Sequence, residues 1–365
     1  MNFIEELTWR GLINNVTNKQ KIEQFVKEKG TAYIGFDPSF DSLHLGNYNM
    51  LLILKRLKQH GHNTFAVLGG ATGQIGDPSG KKLERTMKTV DVIDANAAAI
   101  EKQIIKYSDT DVINNNIIYS KMSMFDFLRN VGKLINVNYL LEKDLIKTRL
   151  ESGISFTEFS YALIQGYDFA WLYQHEDVVL QIGGSDQWGN ITTGVEIIRK
   201  MYGEENKACG LTINLLTKED GTKFGKSEKG AIYLDPKYTS PFAMYQFLIN
   251  QPDSKVEQLL KFLTFLTQEE IETILKQQAS EPSKRIAQRK LAECIVSDIH
   301  GNQVYADCVT IADVLYKGNL DTLSTDNLLM WLTTLPAYEA SQDSYVISDL
   351  LVNAGVTKSK SDVVV

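Results

Sequence analysis

At 365 residues the chain is long enough for two or three separate cores, and 43% hydrophobic with 23% charged residues is ordinary globular composition. A net charge of −7 excludes a globally basic nucleic-acid binder, so any such contact must come from local patches. Three dispersed cysteines without a CxxC pair (Cys209, Cys294, Cys308) exclude a zinc site and a disulfide framework and suit a reducing cytoplasm, and neither a signal peptide nor a membrane-length apolar run is expected.

In chain order, Thr31 to Phe36 reads as a strand ending at Asp37-Pro38. Ser42 to Gln59 reads as a helix with an apolar stripe of Leu51, Leu52, Leu54 and Leu57, basic residues near its far end, and Gly61 to stop it. Phe65 to Leu68 is a second strand, emptying into the glycine-rich 69–80. Residues 84–152 read as mostly helical, placed between sheet elements as an insertion would be. Phe156 to Asp168 is helical by pattern, and Val178 to Ile182 is a further strand running into Gly183-Gly184-Ser185-Asp186-Gln187. From Pro241 onward β signals fade. Phe242–Ile249, Ser254–Leu266, Gln268–Gln278 and Ser283–His300 are expected as successive amphipathic helices. Residues 317–345 look like a looser connection, and Ile347 to Ala354 begins something new.

This alternation predicts an α/β fold: a parallel sheet with crossover helices and a helical insertion, followed by a small all-α domain. Strands that empty into loops of Gly, Ser, Thr and Asp place a ligand crevice at their carboxyl ends. The glycine spacing does not match a dinucleotide fingerprint, which excludes NAD.

Two short strings carry the chemistry. His44-Leu45-Gly46-Asn47 puts an imidazole and a close-approach glycine at a helix start; Lys223-Phe224-Gly225-Lys226-Ser227 puts two ammonium groups on a glycine-hinged loop. Together they describe a site for the phosphates of ATP. On the helix from Phe156, Tyr161, Gln165 and Asp168 fall on one face. That stripe reads as an exposed face or a ligand site, and the apolar bulk of Phe159, Leu163, Tyr167 and Phe169 around it favours a pocket. Tyr33 and Asp168 can hold a hydroxyl between a donor and an acceptor, while Asp77, Tyr161 and Gln165 can receive an ammonium group. The ligand so described is a zwitterion with a hydroxyl at its far end, as tyrosine is.

With these motifs and Gly35-Phe36-Asp37-Pro38, Gly153 to Phe159 and Gln181 to Asn190, the chain resembles the bacterial tyrosyl-tRNA synthetases of class I over essentially its whole length. The resemblance implies a Rossmann-like catalytic domain over 1–220 with a dimer region at about 112–152, and a loop and linker over 221–240. It further implies an α-helical anticodon-side domain over 241–318, then over 319–365 a linker and the start of a truncated RNA-binding module. It implies formation of tyrosyl-adenylate from L-tyrosine and ATP, then transfer to tRNA(Tyr), by a cytoplasmic homodimer. Mg2+ would travel with the nucleotide, and no dedicated protein metal site is expected. By the same resemblance His44 and Asn47 contact ATP phosphates, Gly46 admits the adenine, and Gly184 and Asp186 hold the ribose. Lys223, Lys226 and Ser227 belong to the closing loop, Lys81 and Arg85 to a phosphate-contacting segment. Asp37 and Gln187 then lie near the adenylate and ammonium ends.

Some features depart from the family pattern. Asn47 stands where a second histidine is usual, and Ile34 where some relatives place a polar or thiol side chain. Because the basic C-terminal module is expected to be absent, amino-acid activation should outlast tRNA charging. Other readings are a paralogue serving a different acceptor, an RNA-binding or signalling protein on a retired synthetase fold, and tryptophan as substrate.

Overall fold

The computed structural model describes the chain apart from residues 80–86, 151–152, 218–223, 228–229, 336, 340–343, 345 and 364–365. The strands of its main sheet are β1 Ile13–Val16, β2 Thr31–Phe36, β3 Thr64–Leu68, β4 Asp111–Asn114, β5 Val178–Gly184 and β6 Cys209–Ile213. They form a sheet in the order β1-β6-β5-β2-β3-β4, parallel throughout except for β1, which runs antiparallel to β6. β2 lies between β5 and β3 and is buried except at Gly35, as expected of a strand covered on both faces. From β2 the chain builds outward through β3 and β4 on one side and β5 and β6 on the other. The reversal between β2 and β5 opens a crevice at their carboxyl ends.

The helices that matter for the crevice are α1 Phe3–Trp9, α2 Leu45–Gln59, α3 Phe156–His175 and α4 Trp188–Tyr202. Beyond the sheet follow α5 Pro241–Ile249, α6 Asp253–Leu263, α7 Gln268–Ser280 and α8 Ile286–His300. These four correspond to the helices expected after Pro241. Among the described residues no helix is long and apolar enough to cross a membrane.

Several expectations are corrected. α2 begins at Leu45, not Ser42, because His44 is extended and bridges to Tyr233: Leu45 N–H donates to Ile232 O at 2.9 Å and Leu234 N–H to Leu43 O at 2.8 Å. α3 continues through His175, since its apolar residues go on past Asp168. The described part of the 84–152 segment is mostly helical but also holds β4, and the connection at 317–345 contains a helix, Thr325–Leu332. The edge strands β1 and β4 are short and rich in Asn and Asp, which mutes any period-two signal. The apolar run of β6 is broken by Gly210 and Thr212, although the strand itself is continuous. Contacts divide the chain into two units, Met1–Tyr305 and Ala306–Val365.

A buried ionic cluster ties α1 to α2 and α6. Glu6 accepts from Arg10 Nε at 2.7 Å and Arg56 Nε at 3.2 Å, and His60 Nε2 lies 2.7 Å from its other oxygen. Arg10 donates onward to Lys261 O, and Arg56 to Thr264 O. Burial raises the Glu6 pKa, but hydrogen bonds from His60 and Arg10 and the Arg56 charge outweigh it and leave the group below its ordinary value. Its stabilising contribution is therefore present above the ordinary carboxylate range and is lost as pH falls through the depressed pKa. Glu6→Gln leaves two buried guanidiniums uncompensated and is expected to lower unfolding free energy by about 3 kcal/mol in urea titrations. A loss below about 1 kcal/mol would show that solvent or Arg56 repacking compensates.

Candidate active site

The crevice is a cleft of about 320 Å3 walled by β2, β5, α2, α3 and the loops after β2, β3, β5 and β6. At its floor Tyr33 and Gln181 are register partners on adjacent strands, and both are buried. The Tyr33 hydroxyl and Gln181 Oε1 have no hydrogen-bond partner among the described residues. Asp168 comes in from α3, where Asn115 Nδ2 donates to one carboxylate oxygen at 2.9 Å and Tyr119 OH to the other at 2.7 Å. Burial pushes Asp168 up to about 7, against the lowering effect of these two donors. Burial first, and the Asp168 charge second, lift the Tyr33 phenol well above its ordinary value, so it stays a donor. This end of the cleft presents a fixed donor beside a fixed acceptor, a match for a hydroxyl that must do both.

A second cluster lies toward the mouth. Tyr161 OH donates to Asp37 Oδ2 at 2.9 Å, and Thr72 Oγ1 donates to Asp37 Oδ1 at 2.9 Å. A Cβ on Gly69 would lie 2.2 Å from Asp37 Oδ1, so glycine is required there for Asp37 to keep this position. Asp77 accepts from Gln187 Nε2 at 2.7 Å and from Ser79 N–H at 2.9 Å. Asn190 Nδ2 donates to Gln165 Oε1 at 3.0 Å and to Gln187 Oε1 at 3.2 Å. Carboxylates on two loops, bridged by amides and a phenol, form an electronegative pocket suited to an ammonium group.

The third region is the amino terminus of α2. His44 is its N-cap: Nδ1 accepts from Gly46 N–H at 3.0 Å and Asn47 N–H at 3.3 Å, while Asn47 Oδ1 accepts from His44 N–H at 3.2 Å. Because Nδ1 accepts, the ring proton sits on Nε2, making that nitrogen a donor. The Asn47 carbonyl is used in the capping box, so its NH2 is the end left to serve as a donor. The positive end of the helix dipole adds to an anion-favouring environment. Phe224 and Gly225 of the lysine loop pack here: Gly225 has φ +82°, and a Cβ on it would come within 3.3 Å of Gly46 N. The two strings, distant in sequence, are thus neighbours.

Of the residues expected from the sequence, Tyr33, Asp37, His44, Gly46, Asn47, Asp77, Tyr161, Gln165, Asp168, Gly184, Asp186 and Gln187 all line this one cleft. Lys81, Arg85 and Lys223 lie outside the described residues. Lys226 and Ser227 are described only as a short strand pairing with Gly230–Ala231. Within the cleft Tyr161 bonds Asp37, a pairing the sequence did not specify, because Asp37 at the end of β2 reaches α3. Sequence reasoning did not assign Asn49, Thr72, Asn115, Tyr119, Gln181 or Asn190. Thr72, Gln181 and Asn190 sat inside quoted motifs, whereas Asn115 and Tyr119 lay in the stretch read as an insertion.

Residues 26–313 match the family model described as tRNA synthetases class I (W and Y). The chain is 52% identical to the tyrosine--tRNA ligase of Ureaplasma urealyticum over 98% of this chain and 86% of that protein. It is 46% identical to tyrosine--tRNA ligase 1 of Bacillus subtilis over 98% of this chain and 87% of that one. Among solved structures, a C-terminally truncated mitochondrial tyrosyl-tRNA synthetase from Aspergillus nidulans superposes with a TM-score of 0.77 at 31% identity, covering 86% of this chain and 94% of that chain. A tyrosyl-tRNA synthetase from Archaeoglobus fulgidus complexed with L-tyrosine shares the fold (TM-score 0.61, 17% identity, 85% of this chain and 99% of that chain). The sheet order, the cleft at its switch point and these similarities converge: the chain belongs to the class I tyrosyl-tRNA synthetases.

Proposed function

We propose that the protein condenses L-tyrosine with ATP to tyrosyl-adenylate and pyrophosphate, and then transfers the tyrosyl group to the 3′ end of tRNA(Tyr). The observation that carries the amino-acid assignment is the donor–acceptor pair of Tyr33 and the doubly held Asp168 at the closed end of the cleft. Tyrosine lies with its phenol there and its ammonium group among Asp77, Tyr161 and Gln165, near Asp37 and Gln187. This orientation directs its carboxylate toward the α2 terminus. The carboxylate attacks the α-phosphorus of ATP, a P–O bond forms, and the bond to pyrophosphate breaks with its electrons going to the leaving group.

His44 Nε2–H and the Asn47 amide donate to phosphate oxygens, while Gly184 and Asp186 hold the ribose. Lys223, Lys226 and Ser227, with Lys81 and Arg85, close on the pyrophosphate as charge develops, an interaction made mainly in the transition state. Mg2+ accompanies the nucleotide phosphates. The contact between Gly225 and Gly46 supports the closing role, because the loop is hinged directly beside the phosphate-binding helix end. The helices after Pro241 serve the anticodon side of tRNA. A symmetric homodimer is supported by the exposed apolar residues Met124, Phe125 and Leu128.

ATP–pyrophosphate exchange with each of the twenty amino acids tests the first step. Exchange with tyrosine and no other amino acid is expected; none with tyrosine refutes the assignment. Charging of tRNA(Tyr) with labelled tyrosine separates the ligase from an adenylate-forming paralogue that serves another acceptor.

A further inference from the structure

Three buried polar atoms in the cleft lack a partner among the described residues: Tyr33 OH, Gln181 Oε1 and Asn49 Oδ1. Buried polar groups in native proteins are nearly always paired, so orphans gathered in a cleft mark where a ligand supplies the partner. Tyr33 and Gln181 face one another at the tyrosine floor. Asn49 stands apart on α2, where the sequence motifs gave it no role. It is 3% exposed, and it lies one turn past Gly46 on the same helical face, next to Met50. A carbonyl acceptor held this deep without a partner among the described residues is costly unless a ligand completes it.

We propose that Asn49 reads the purine base of ATP, its Oδ1 accepting a hydrogen bond from the exocyclic 6-amino group. The inference rests on the nucleotide assignment above. The phosphates occupy the amino terminus of α2, so a nucleoside extending from them along the helix reaches Asn49 a turn later. Around that position Met50, Leu215, Leu216 and Phe224 line the cleft, giving a flat heteroaromatic ring apolar walls. Leu215 also packs against Gly184, where a Cβ would lie 2.7 Å from Leu215 Cδ2, so this wall continues to the ribose side. A carbonyl acceptor matches adenine in particular, since the 6-amino group donates. Guanine places a carbonyl where adenine has the amino group.

The test is tyrosine-dependent ATP–pyrophosphate exchange by the full chain with ATP and with purine riboside 5′-triphosphate, which lacks the amino group. Asn49→Leu is expected to lower kcat/KM for ATP by about 10- to 100-fold. It should leave the purine riboside triphosphate nearly unaffected, so that the preference for ATP collapses, with the KM for tyrosine unchanged. Asn49→Ala removes the amide without adding bulk and carries the same test should the leucine variant not fold. An equal loss for both nucleotides, or an unchanged preference, would overturn the proposal. Absence of tyrosine-dependent exchange in the unaltered protein would instead refute the activation chemistry itself.

Discussion

Asp168→Asn is expected to lower kcat/KM for tyrosine in the exchange reaction by about 10²-fold, the worth of a hydrogen bond to a charged, buried group. Activity with phenylalanine should change far less, so the ratio between the two amino acids shrinks. The reason is asymmetric: a site built to hydrogen-bond a hydroxyl rejects the analogue lacking it because buried polar groups stay unpaired. Tyrosyl-tRNA synthetases are the standard worked case, discriminating by about 10⁵. In this protein Tyr33 OH has no hydrogen-bond partner among the described residues, and Asp168 accepts from Asn115 and Tyr119 on its two oxygens. Tyr33→Phe should move the ratio the same way.

The same carboxylate sets a pH dependence. Its pKa rises from 3.8 to about 7 on burial. Between those values the folded protein binds more protons at this group than the unfolded chain does. Asp168 therefore makes stability fall as pH rises from about 4 through about 7. Asparagine removes that decline, so the stability of the variant relative to the parent should increase across this window in urea titrations. Both oxygens already accept from donors, so the phenol is held best by the ionised form, and the KM for tyrosine should fall as pH rises through about 7. A parallel pair of stability profiles for parent and variant would refute the assigned ionisation.

The second large effect is expected at His44. His44→Ala should reduce kcat for exchange by about 10²- to 10³-fold with little change in either KM, the pattern of an interaction made in the transition state. Alanine also removes the N-cap, which costs about 1 kcal/mol of stability. His44→Asn separates the two roles, because asparagine caps well but does not extend an Nε2–H to a phosphate. It should fold with near-parental stability and share the loss in kcat. A variant with raised KM for ATP and unchanged kcat would place His44 in ground-state nucleotide binding instead.

Local chemistry made much of this site legible. Tyr161, Gln165 and Asp168 shared a helical face by spacing, and β2 and β3 showed as short apolar runs ended by turn residues. His44 and Asn47 appeared as a polar start to an apolar helix, though the helix edge itself moved to Leu45. That edge depends on pairing with residues near Tyr233, a contact invisible to any window around His44. The partners that tune the site were less legible. Asn115 and Tyr119 follow β4, an edge strand with little period-two signal, and their reach to Asp168 exists only because β4 lies beside β3.

Residue types, spacing and motif order by themselves determined the α/β class, the strands that meet at the crevice and the polar side chains that line it, because backbone preference and hydrophobic period act over neighbouring residues. Tertiary structure alone decided who pairs with whom: Tyr161 with Asp37, Asn190 with Gln165, Asn115 with Asp168. It also decided which polar atoms are buried without a partner among the described residues, Asn49 Oδ1 among them. The physical reason is that burial and hydrogen-bond satisfaction depend on distances between segments brought together by the sheet, and those distances are not written in any single segment.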